Sequence, residues 1–234
     1  MSQNLQQNRS IVENVFNKVY DKYDLMNDLM SFGIHRSWKK KLIITMNPAE
    51  NQNLIDVGCG TGDIGKLYSD FTNHNSNILS TDPNEKMVEK GKSNLKNYKN
   101  IEWKICAGEK LDAMSDSFDF YTISFGLRNT KDVRKTINEA YRVLKKGGRF
   151  ICLEFSKIDN SDLNFLYKQY SRIIPLIGKY IVGDRDPYEY LIKSIDQFLN
   201  QEELLNIMKE CNFENCTYTN LNGGIVAIHS GWKI

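Results

Sequence analysis

The chain has 234 residues, a formal net charge of +2 at pH 7 and 41% hydrophobic residues, a composition typical of a globular protein of about one domain. The near-neutral charge does not favour nucleic-acid binding, and no run approaches the roughly 18 apolar residues of a membrane span. Five scattered cysteines without a Cys-x-x-Cys pair and three distant histidines predict a reducing compartment and no metal site. The first ten residues carry no signal or transit pattern, so we expect a cytoplasmic protein.

The hydrophobic pattern predicts helices in an N-terminal cap, residues 1–48, followed by alternating strands and helices. The cap contains a helical apolar stripe over 11–23 and a basic helix that ends before Pro48. After it we expect strand 54–57, helix 63–71, strand 77–81, helix 85–95, strand 101–107, strand 118–127, helix 133–144 and strand 149–156. Strands that alternate with helices predict a parallel sheet with both faces covered.

The C-terminal third departs from this alternation. Residues 159–198 are predicted to form an inserted helical cover over the substrate, in which Pro175 and Gly178 predict a break. After a further helix within 194–213, two strand-like runs surround the turn-forming sequence NGG. A parallel sheet that ends in an antiparallel hairpin resembles the seven-stranded, Rossmann-like sheet of the class I methyltransferases. We therefore predict a single α/β domain over residues 1–234.

A glycine-rich turn, DVGCGTG at residues 56–62, follows the first predicted strand. Glycines allow a sharp turn from strand to helix and leave bare backbone for a ligand. Asp56 would repel a pyrophosphate but can pair, directly or through water, with an ammonium group. Asp82 ends the second strand, where an acid receives ribose hydroxyls. Together these features favour S-adenosylmethionine over a nicotinamide dinucleotide and over a turn that binds nothing.

Two longer stretches resemble the signatures of one family. YDLMNDLMSFGIHRSW at 23–38 and RVLKKGGRFICLEFS at 142–156 match both signatures of the UbiE family, the ubiquinone and menaquinone biosynthesis C-methyltransferases. SFGLRN at 124–129 and YEYLIKSIDQF at 188–198 are also similar to that family. Two positions depart from it: Lys146 stands where proline is usual, and Ala107 stands where relatives often carry a polar residue near the adenine.

The resemblance implies S-adenosylmethionine as cofactor, S-adenosylhomocysteine as product, and methylation of a ring carbon in a polyprenylated benzoquinol, demethylmenaquinol or both. It implies contacts from Thr61 to the methionine part, from Asp82 to the ribose, from Ala107 and Gly108 to the adenine, and from Ser124 to the methionine end. The complete predicted cofactor set is Asp56, Gly58, Gly60, Thr61, Asp82, Ala107, Gly108 and Ser124.

The chemistry requires help for the acceptor, because a ring carbon is a poor nucleophile until its neighbouring hydroxyl shares or loses a proton, and a free phenol has a pKa near ~10. We expect Arg128 to stabilise the phenolate and to hold a water that takes the proton, and Asn129 to orient the quinol oxygen. His35 is a further candidate base. The alternatives are a structural salt bridge for Arg128 and a structural, hydrogen-bonded His35. The predicted substrate contacts are Tyr23, Asn27, Tyr188 and Tyr190.

The apolar segment 165–183 contains interleaved basic residues. It predicts either a packed helical cover or a prenyl-chain groove that touches the membrane. We expect a polyprenyl quinol as substrate, peripheral contact with the inner face of the membrane, no nucleic acid, and a homodimer or a quinone-synthesis complex. Two other functions stay open: a methyltransferase for a sterol, another phenol or an amine, and a cofactor-binding subunit of a quinone-synthesis complex that does not catalyse.

Overall fold

The computed structural model of the chain describes residues 28, 31, 33–158, 160–182 and 185–234. The predicted helix over 11–23 therefore lies outside the described residues. The strands are β1 (Leu54–Val57), β2 (Ile78–Asp82), β3 (Ile101–Ile105), β4 (Phe118–Ser124), β5 (Leu144–Phe155), β6 (Glu214–Leu221) and β7 (Val226–Trp232). The helices in the described ranges are α1 (His35–Met46), α2 (Asp63–Phe71), α3 (Glu85–Asn94), α4 (Val133–Val143), α5 (Ser161–Val182), α6 (Asp186–Gln197) and α7 (Gln201–Glu210), with 3₁₀ turns at Leu127–Asn129 and Asn222–Gly224.

The strands form one seven-stranded sheet in the order β3-β2-β1-β4-β5-β7-β6. The strands β1 to β5 pair in parallel, whereas β7 is antiparallel to both β5 and β6. The chain order reverses direction between β1 and β4, which is the point where open α/β sheets bind ligands beyond the carboxyl ends of their strands. The predicted seven-stranded sheet with a C-terminal antiparallel hairpin is confirmed.

Hydrophobic residues cover both faces of the sheet. All four residues of β1 are buried, and its side chains alternate between two clusters, with Leu54 on one face and Ile55 on the other. The first cluster includes residues of α1, α2, α5 and α6, and the second includes residues of α4 and α7. Because both faces are covered, every residue of the central strands β1 and β2 is buried, as expected for a parallel sheet.

Side-chain caps fix the beginnings of several helices. The Asn84 side chain accepts a hydrogen bond from the Met87 amide at 3.2 Å and begins α3 two residues after β2. Asp132 caps α4 in the same way through the Lys135 amide at 3.0 Å. Such Asx caps satisfy amide groups that have no partner within the helix. They begin these two helices shortly after the preceding segment, at the edge of the sheet where the carboxyl ends of the parallel strands lie.

The indole of Trp103 on β3 occupies a slot between two glycines. A Cβ atom at Gly62, which begins α2 with a φ of 91°, would lie 2.5 Å from the ring, and one at Gly91 in α3 would lie 2.3 Å from it. Gly62 is therefore required both by its backbone conformation and by protein packing. The positive φ agrees with the predicted sharp turn from strand to helix, whereas the packing against Trp103 was not predicted.

Several boundaries differ from the predictions: β3 and β4 end at Ile105 and Ser124 and not at residues 107 and 127, and three further differences are larger. The helix α5 continues through Pro175, so the predicted break is wrong; proline removes only one backbone donor, and the neighbouring Ile174 is buried in the core. The strand β5 begins at Leu144 and not at residue 149, and the region 194–213 contains the end of α6 and all of α7. The bounds of the cap and of the cover stay predictions.

Within the described ranges, none of the helices combines the length and hydropathy that a transmembrane span requires. The same part of the chain contains no group of three or more His, Cys, Asp or Glu side chains arranged to hold a metal ion.

Candidate active site

The predicted cofactor residues follow four neighbouring strands at one edge of the sheet. Asp56, in β1, precedes Gly58, Gly60 and Thr61, and Asp82 ends β2. Ala107 and Gly108 come after β3, and Ser124 ends β4. Because β3, β2, β1 and β4 are parallel neighbours, their carboxyl ends meet at the same edge. The structure thus brings the whole predicted set together.

The carboxylate of Asp82 closes the glycine turn. Its Oδ2 accepts a hydrogen bond from the Gly60 amide at 2.9 Å, and its Oδ1 accepts one from the Asn84 amide at 2.8 Å. Burial raises the pKa of Asp82 to about 6, although both amides favour the charged form. Each carboxylate oxygen retains a lone pair, so the group can accept further hydrogen bonds from two hydroxyls of a ribose.

The carboxylate of Asp56 has one satisfied and one unsatisfied oxygen. Thr122 on β4 donates to Oδ1 at 2.8 Å, whereas Oδ2 is buried and has no partner among the described residues. Burial raises the pKa of Asp56 to about 7, opposed by the Thr122 hydrogen bond and the positive charge of Lys39, and supported by the negative charges of Asp63 and Asp82. A buried acceptor without a donor is costly. An ammonium group bound at this edge would satisfy it.

The remaining cofactor residues combine packing with open polar groups. The Ser124 hydroxyl is buried without a partner in the described chain, as expected for a group that hydrogen-bonds to a ligand. A Cβ at Gly108 would lie 3.1 Å from Thr136 of α4 and 3.2 Å from Val57, so glycine here allows α4 to pack closely beside β1. These observations fit S-adenosylmethionine. Its ammonium group needs an acid and its carboxylate needs backbone amides. Its ribose needs a second acid, and its adenine needs a flat slot.

Arg128 and Glu154 form a buried ion pair at the same edge. The guanidinium Nη1 donates to Glu154 Oε1 at 2.7 Å and to the Phe125 carbonyl at 2.5 Å, and the two side chains are only 5% and 1% exposed. The Arg128 amide also donates to Glu154 Oε2 at 3.3 Å. Nε of Arg128 is buried and has no partner in the described chain. Arg128 is thus held through Nη1, its Nε and Nη2 donors have no partner in the described chain, and the salt bridge named as its structural alternative is present.

Asn129, the next residue, joins the sheet edge to the cover. Its Oδ1 accepts a hydrogen bond from the Tyr190 hydroxyl at 3.0 Å, which links the turn after β4 to α6. Tyr188 lies two residues before Tyr190 but is fully buried in the core cluster. The two predicted substrate tyrosines therefore face different surroundings, and Tyr190 is the one that reaches the predicted catalytic residues.

His35 begins α1 and is buried. Its Nε2 lies 3.0 Å from Asp28 Oδ1, and Nδ1 has no partner among the described residues. Burial lowers the pKa of His35, and the positive charge of Lys39 lowers it further, while Asp28 opposes both. His35 is therefore a neutral, hydrogen-bonded group in this structure, and its contacts are with Asp28 and Ser31, whereas those of Arg128 are with Glu154 and Phe125.

Trp38, the tryptophan of the first signature, packs against the aromatic residues next to the Arg128–Glu154 pair. The ring of Trp38 lies 6.1 Å from that of Phe125 and 6.2 Å from that of Phe155, and its Nε1 donates to Asn222 Oδ1 at 2.6 Å. The guanidinium of Arg128 lies 5.6 Å from the Phe155 ring. Trp38 thus anchors α1 to the hairpin turn, and it packs against Phe155, the aromatic ring beside the Arg128 guanidinium.

Sequence reasoning missed an ion pair between the buried Lys39 and the partly exposed Asp63, whose Nζ and Oδ2 are 2.6 Å apart. It ties α1 to the first residue of α2, next to the glycine turn. The signal was present, because Lys39 lies four residues after His35 and three before Leu42 on the buried face of α1. Tyr23 and Asn27, two predicted substrate contacts, lie outside the described residues.

Comparison with known proteins gives a consistent family assignment. The model of the ubiE/COQ5 methyltransferase family matches residues 2–233. The chain is 48% identical to the ubiquinone/menaquinone biosynthesis C-methyltransferase UbiE of Rickettsia bellii (strain OSU 85-389), over 97% of this chain and 94% of the relative. It is 47% identical to the UbiE of Rickettsia prowazekii (strain Madrid E), over 96% of this chain and 93% of the relative.

Solved structures share the fold at low sequence identity. An S-adenosylmethionine-dependent methyltransferase from Aquifex aeolicus covers 89% of this chain and is itself covered to 97%, with a TM-score of 0.64 at 14% identity. Phosphoethanolamine N-methyltransferase 2 of Haemonchus contortus, solved with S-adenosyl-L-methionine, covers 84% of this chain with 52% of its own length, at a TM-score of 0.62 and 13% identity. At these identities the likeness concerns the fold.

Proposed function

Because this chain belongs to the ubiE/COQ5 methyltransferase family, we propose that it methylates a ring carbon of a polyprenylated quinol in the synthesis of ubiquinone, menaquinone or both. The enzyme class and the cofactor follow from the family: the chain is a methyltransferase that uses S-adenosylmethionine. One observation carries the choice of acceptor, namely 48% identity over nearly the whole length of a relative that bears the UbiE name.

The chain supplies binding and orientation for this reaction. Asp82 would hold the ribose hydroxyls, Asp56 the ammonium group, and Ser124 the methionine end. When bound, S-adenosylmethionine supplies an electrophilic methyl group on its sulfonium sulfur. These contacts from three strands would fix the direction from which the acceptor carbon must approach, and alignment of reacting atoms accounts for a large part of such rate enhancements.

The turn after β4 is the candidate for activating the acceptor. A quinol hydroxyl must share or lose its proton as the new carbon–carbon bond forms and the sulfur–carbon bond breaks. Arg128, oriented by Glu154 and the Phe125 carbonyl, would stabilise the developing phenolate through its remaining donors. Asn129, which accepts from Tyr190, would place the quinol oxygen with its amide group. The proton would leave through water, since a guanidinium is a poor base.

The test is methyl transfer from labelled S-adenosylmethionine to two reduced short-chain quinols, a benzoquinol and a demethylmenaquinol, with a primary amine and a simple phenol as competing acceptors. We expect label on the quinol ring carbon and none on the amine. Label in one quinol or both identifies the pathway. Transfer to the amine or the phenol alone, or tight cofactor binding without any transfer, would reject the quinol proposal in favour of another acceptor or a non-catalytic role.

We also propose that α5 contacts a membrane, where a polyprenylated substrate resides. Four large hydrophobic residues of α5 are between 52% and 63% exposed: Phe165, Leu166, Ile173 and Leu176. Positions 166, 173 and 176 repeat at helical spacing, so these side chains share one side of the helix, and Arg172 is exposed beside them. Hydrophobic side chains flanked by basic ones suit an anionic lipid surface.

Sedimentation with vesicles tests this contact. We expect the protein to pellet with anionic vesicles more than with neutral ones, and Leu166→Glu together with Ile173→Glu to abolish pelleting while cofactor affinity is retained. Asp162→Asn, an exposed change in the same helix, serves as the matched control. Equal pelleting of the glutamate variant would rule out this face of α5 as the membrane contact. The homodimer or quinone-synthesis complex stays a prediction.

A further inference from the structure

A partly open hollow lies beyond the end of β5, between α5 and α6. Its volume is about 280 Å³, and its walls include Ser156, which directly follows β5, Tyr167 and Ser171 of α5, and Ile192 of α6. None of its lining residues belongs to the predicted cofactor set. We call this hollow the α5–α6 pocket.

Two hydroxyl groups of the pocket walls lack hydrogen bonds. Oγ of Ser156 and the Tyr167 hydroxyl oxygen are buried, and neither has a partner among the described residues. Buried polar groups in folded proteins are nearly always hydrogen-bonded, because an unsatisfied one loses its interaction with water without compensation. Two such groups on one small pocket point to an occupant that carries oxygen atoms.

The pocket also lies beside the candidate catalytic turn. Ser156 is two residues after Glu154, the partner of Arg128. Burial raises the pKa of Tyr167, and the positive charge of Arg128 opposes that rise. From the other side, Tyr190 of α6 donates to Asn129. A molecule in the pocket would therefore be next to the residues proposed to activate the acceptor.

We propose that the α5–α6 pocket binds the ring of the acceptor and that the hydroxyls of Tyr167 and Ser156 hydrogen-bond to its oxygen atoms. This inference rests on the proposed quinol function and names the binding site for it. A quinol ring is flat and apolar with a hydroxyl at either end, which matches the side chains of Ile158, Ile192 and Ile195 and the two hydroxyls without partners in the described chain. The remaining lining is polar and charged, with Lys157, Asn164, Lys168 and Asp196. A volume near the lower limit of small-molecule sites suits the ring and leaves the prenyl chain outside.

The exposed hydrophobic side of α5 is the candidate binding surface for the prenyl chain of the substrate. The helix that contributes Tyr167 and Ser171 to the pocket also carries Leu166 and Ile173, which are 63% and 52% exposed. The ring would thus be held on one side of α5 while the chain passes to the other, toward the proposed lipid surface. The two surfaces of one helix then serve one amphipathic substrate.

Two variants of the full-length protein test the pocket, each assayed with a short-chain benzoquinol and a short-chain demethylmenaquinol. Tyr167→Phe removes only the hydroxyl, and Ser171→Phe fills part of the hollow. Tyr98→Phe is the matched control, because its hydroxyl donates to Asp70 at 2.9 Å near the amino end of β3, at the opposite edge of the sheet. The readouts are kcat, the KM for quinol, and the affinity for S-adenosylmethionine measured by calorimetry.

We expect Tyr167→Phe to raise the quinol KM roughly three- to tenfold, the effect of one hydrogen bond, and Ser171→Phe to lower kcat/KM for quinol by more than about tenfold through loss of volume. Cofactor affinity should be unchanged in both, and Tyr98→Phe should match the wild type in every readout. A split between quinol KM and cofactor affinity distinguishes ring binding from general damage to the fold.

The other outcomes contradict either the assignment of the pocket or the proposed function. If the wild type methylates a quinol and both variants keep its KM, the pocket does not bind the ring, and the proposed function stands. If the variants lose cofactor affinity in the same proportion as quinol activity, the effect is structural and the pocket assignment fails. If the wild type binds S-adenosylmethionine but methylates neither quinol, the proposed function fails, and the quinol assignment of the pocket fails with it.

Discussion

Replacement of Arg128 by methionine is expected to destabilise the protein by about 3–5 kcal/mol, because it leaves the Glu154 carboxylate buried without its counter-ion. The pair is 2.7 Å apart, and both side chains are almost completely buried. Loss of Arg128 also removes a donor from the Phe125 carbonyl. Glu154→Leu should be similarly damaging. Urea-induced unfolding of the two single variants measures both effects.

The double variant Arg128→Met/Glu154→Leu separates stability from chemistry. With both charges replaced by apolar groups of similar size, most of the lost stability should return. If Arg128 stabilises the phenolate, kcat should stay at least about a hundredfold below the wild type even though the protein is folded and binds cofactor. A stable and active double variant would instead assign Arg128 a purely structural role.

An exposed ion pair provides the control for the stability measurement. Arg185 and Glu189 lie 3.1 Å apart on α6, and their side chains are 46% and 54% exposed. Arg185→Met should change the free energy of unfolding by no more than about 1 kcal/mol, because water already solvates both groups. A cost for Arg128→Met as small as that for Arg185→Met would contradict the assigned burial.

The sequence was sufficient for the sheet and for its ligand edge. Alternation of strands and helices defined the parallel core, and the position of Asp82 at the end of β2 predicted its place beside the glycine turn, where its carboxylate accepts from the Gly60 amide. The location of Asp56 and Asp82 at one edge could be predicted before any contact was seen, because in parallel sheets the end of a strand determines the edge at which its last side chains lie. Their roles toward a cofactor stay predictions.

What the sequence could not give depends on contacts between distant residues. Arg128 and Glu154 are 26 residues apart, and only the pairing of β4 with β5 shows that they meet. Tyr188 and Tyr190 looked equivalent, yet the phase of α6 buries the first in the core and directs the second to Asn129. Tyr167 was not singled out from the other aromatic residues of its apolar segment, because a hydroxyl without a hydrogen-bond partner can be recognised only once the surrounding residues are known.

Binding of S-adenosylmethionine is expected to depend on pH through Asp56. In the free protein, burial raises the pKa of Asp56 to about 7, so about half of the molecules carry a neutral acid at that pH. A carboxyl with a raised pKa contributes stability below its unfolded pKa near ~4, and this contribution is lost as pH rises through about 7. The free protein should therefore become less stable through this group as pH increases over that interval.

The cofactor reverses this trend, because its ammonium group favours the ionised acid. Binding then requires loss of a proton, and affinity should increase roughly eightfold from pH 6 to pH 7.5 for one linked proton. Asp82, whose pKa is raised to about 6, contributes in the same direction at the acidic end. Calorimetry in buffers of different ionisation enthalpy measures both the affinity and the number of protons released.

Asp56→Asn identifies the group responsible. The amide keeps the shape and can still accept from Thr122, which donates to Oδ1 at 2.8 Å in the native protein, but it has no charge for an ammonium. Affinity at pH 7.5 should fall about 10- to 100-fold, the value of a charge-assisted hydrogen bond in a buried site, and the remaining pH dependence should shift to the lower pKa of Asp82. If Asp56→Asn binds cofactor as tightly as the wild type with the same proton release, the unsatisfied oxygen of Asp56 does not receive the ammonium, and the orientation assigned to the methionine end is wrong.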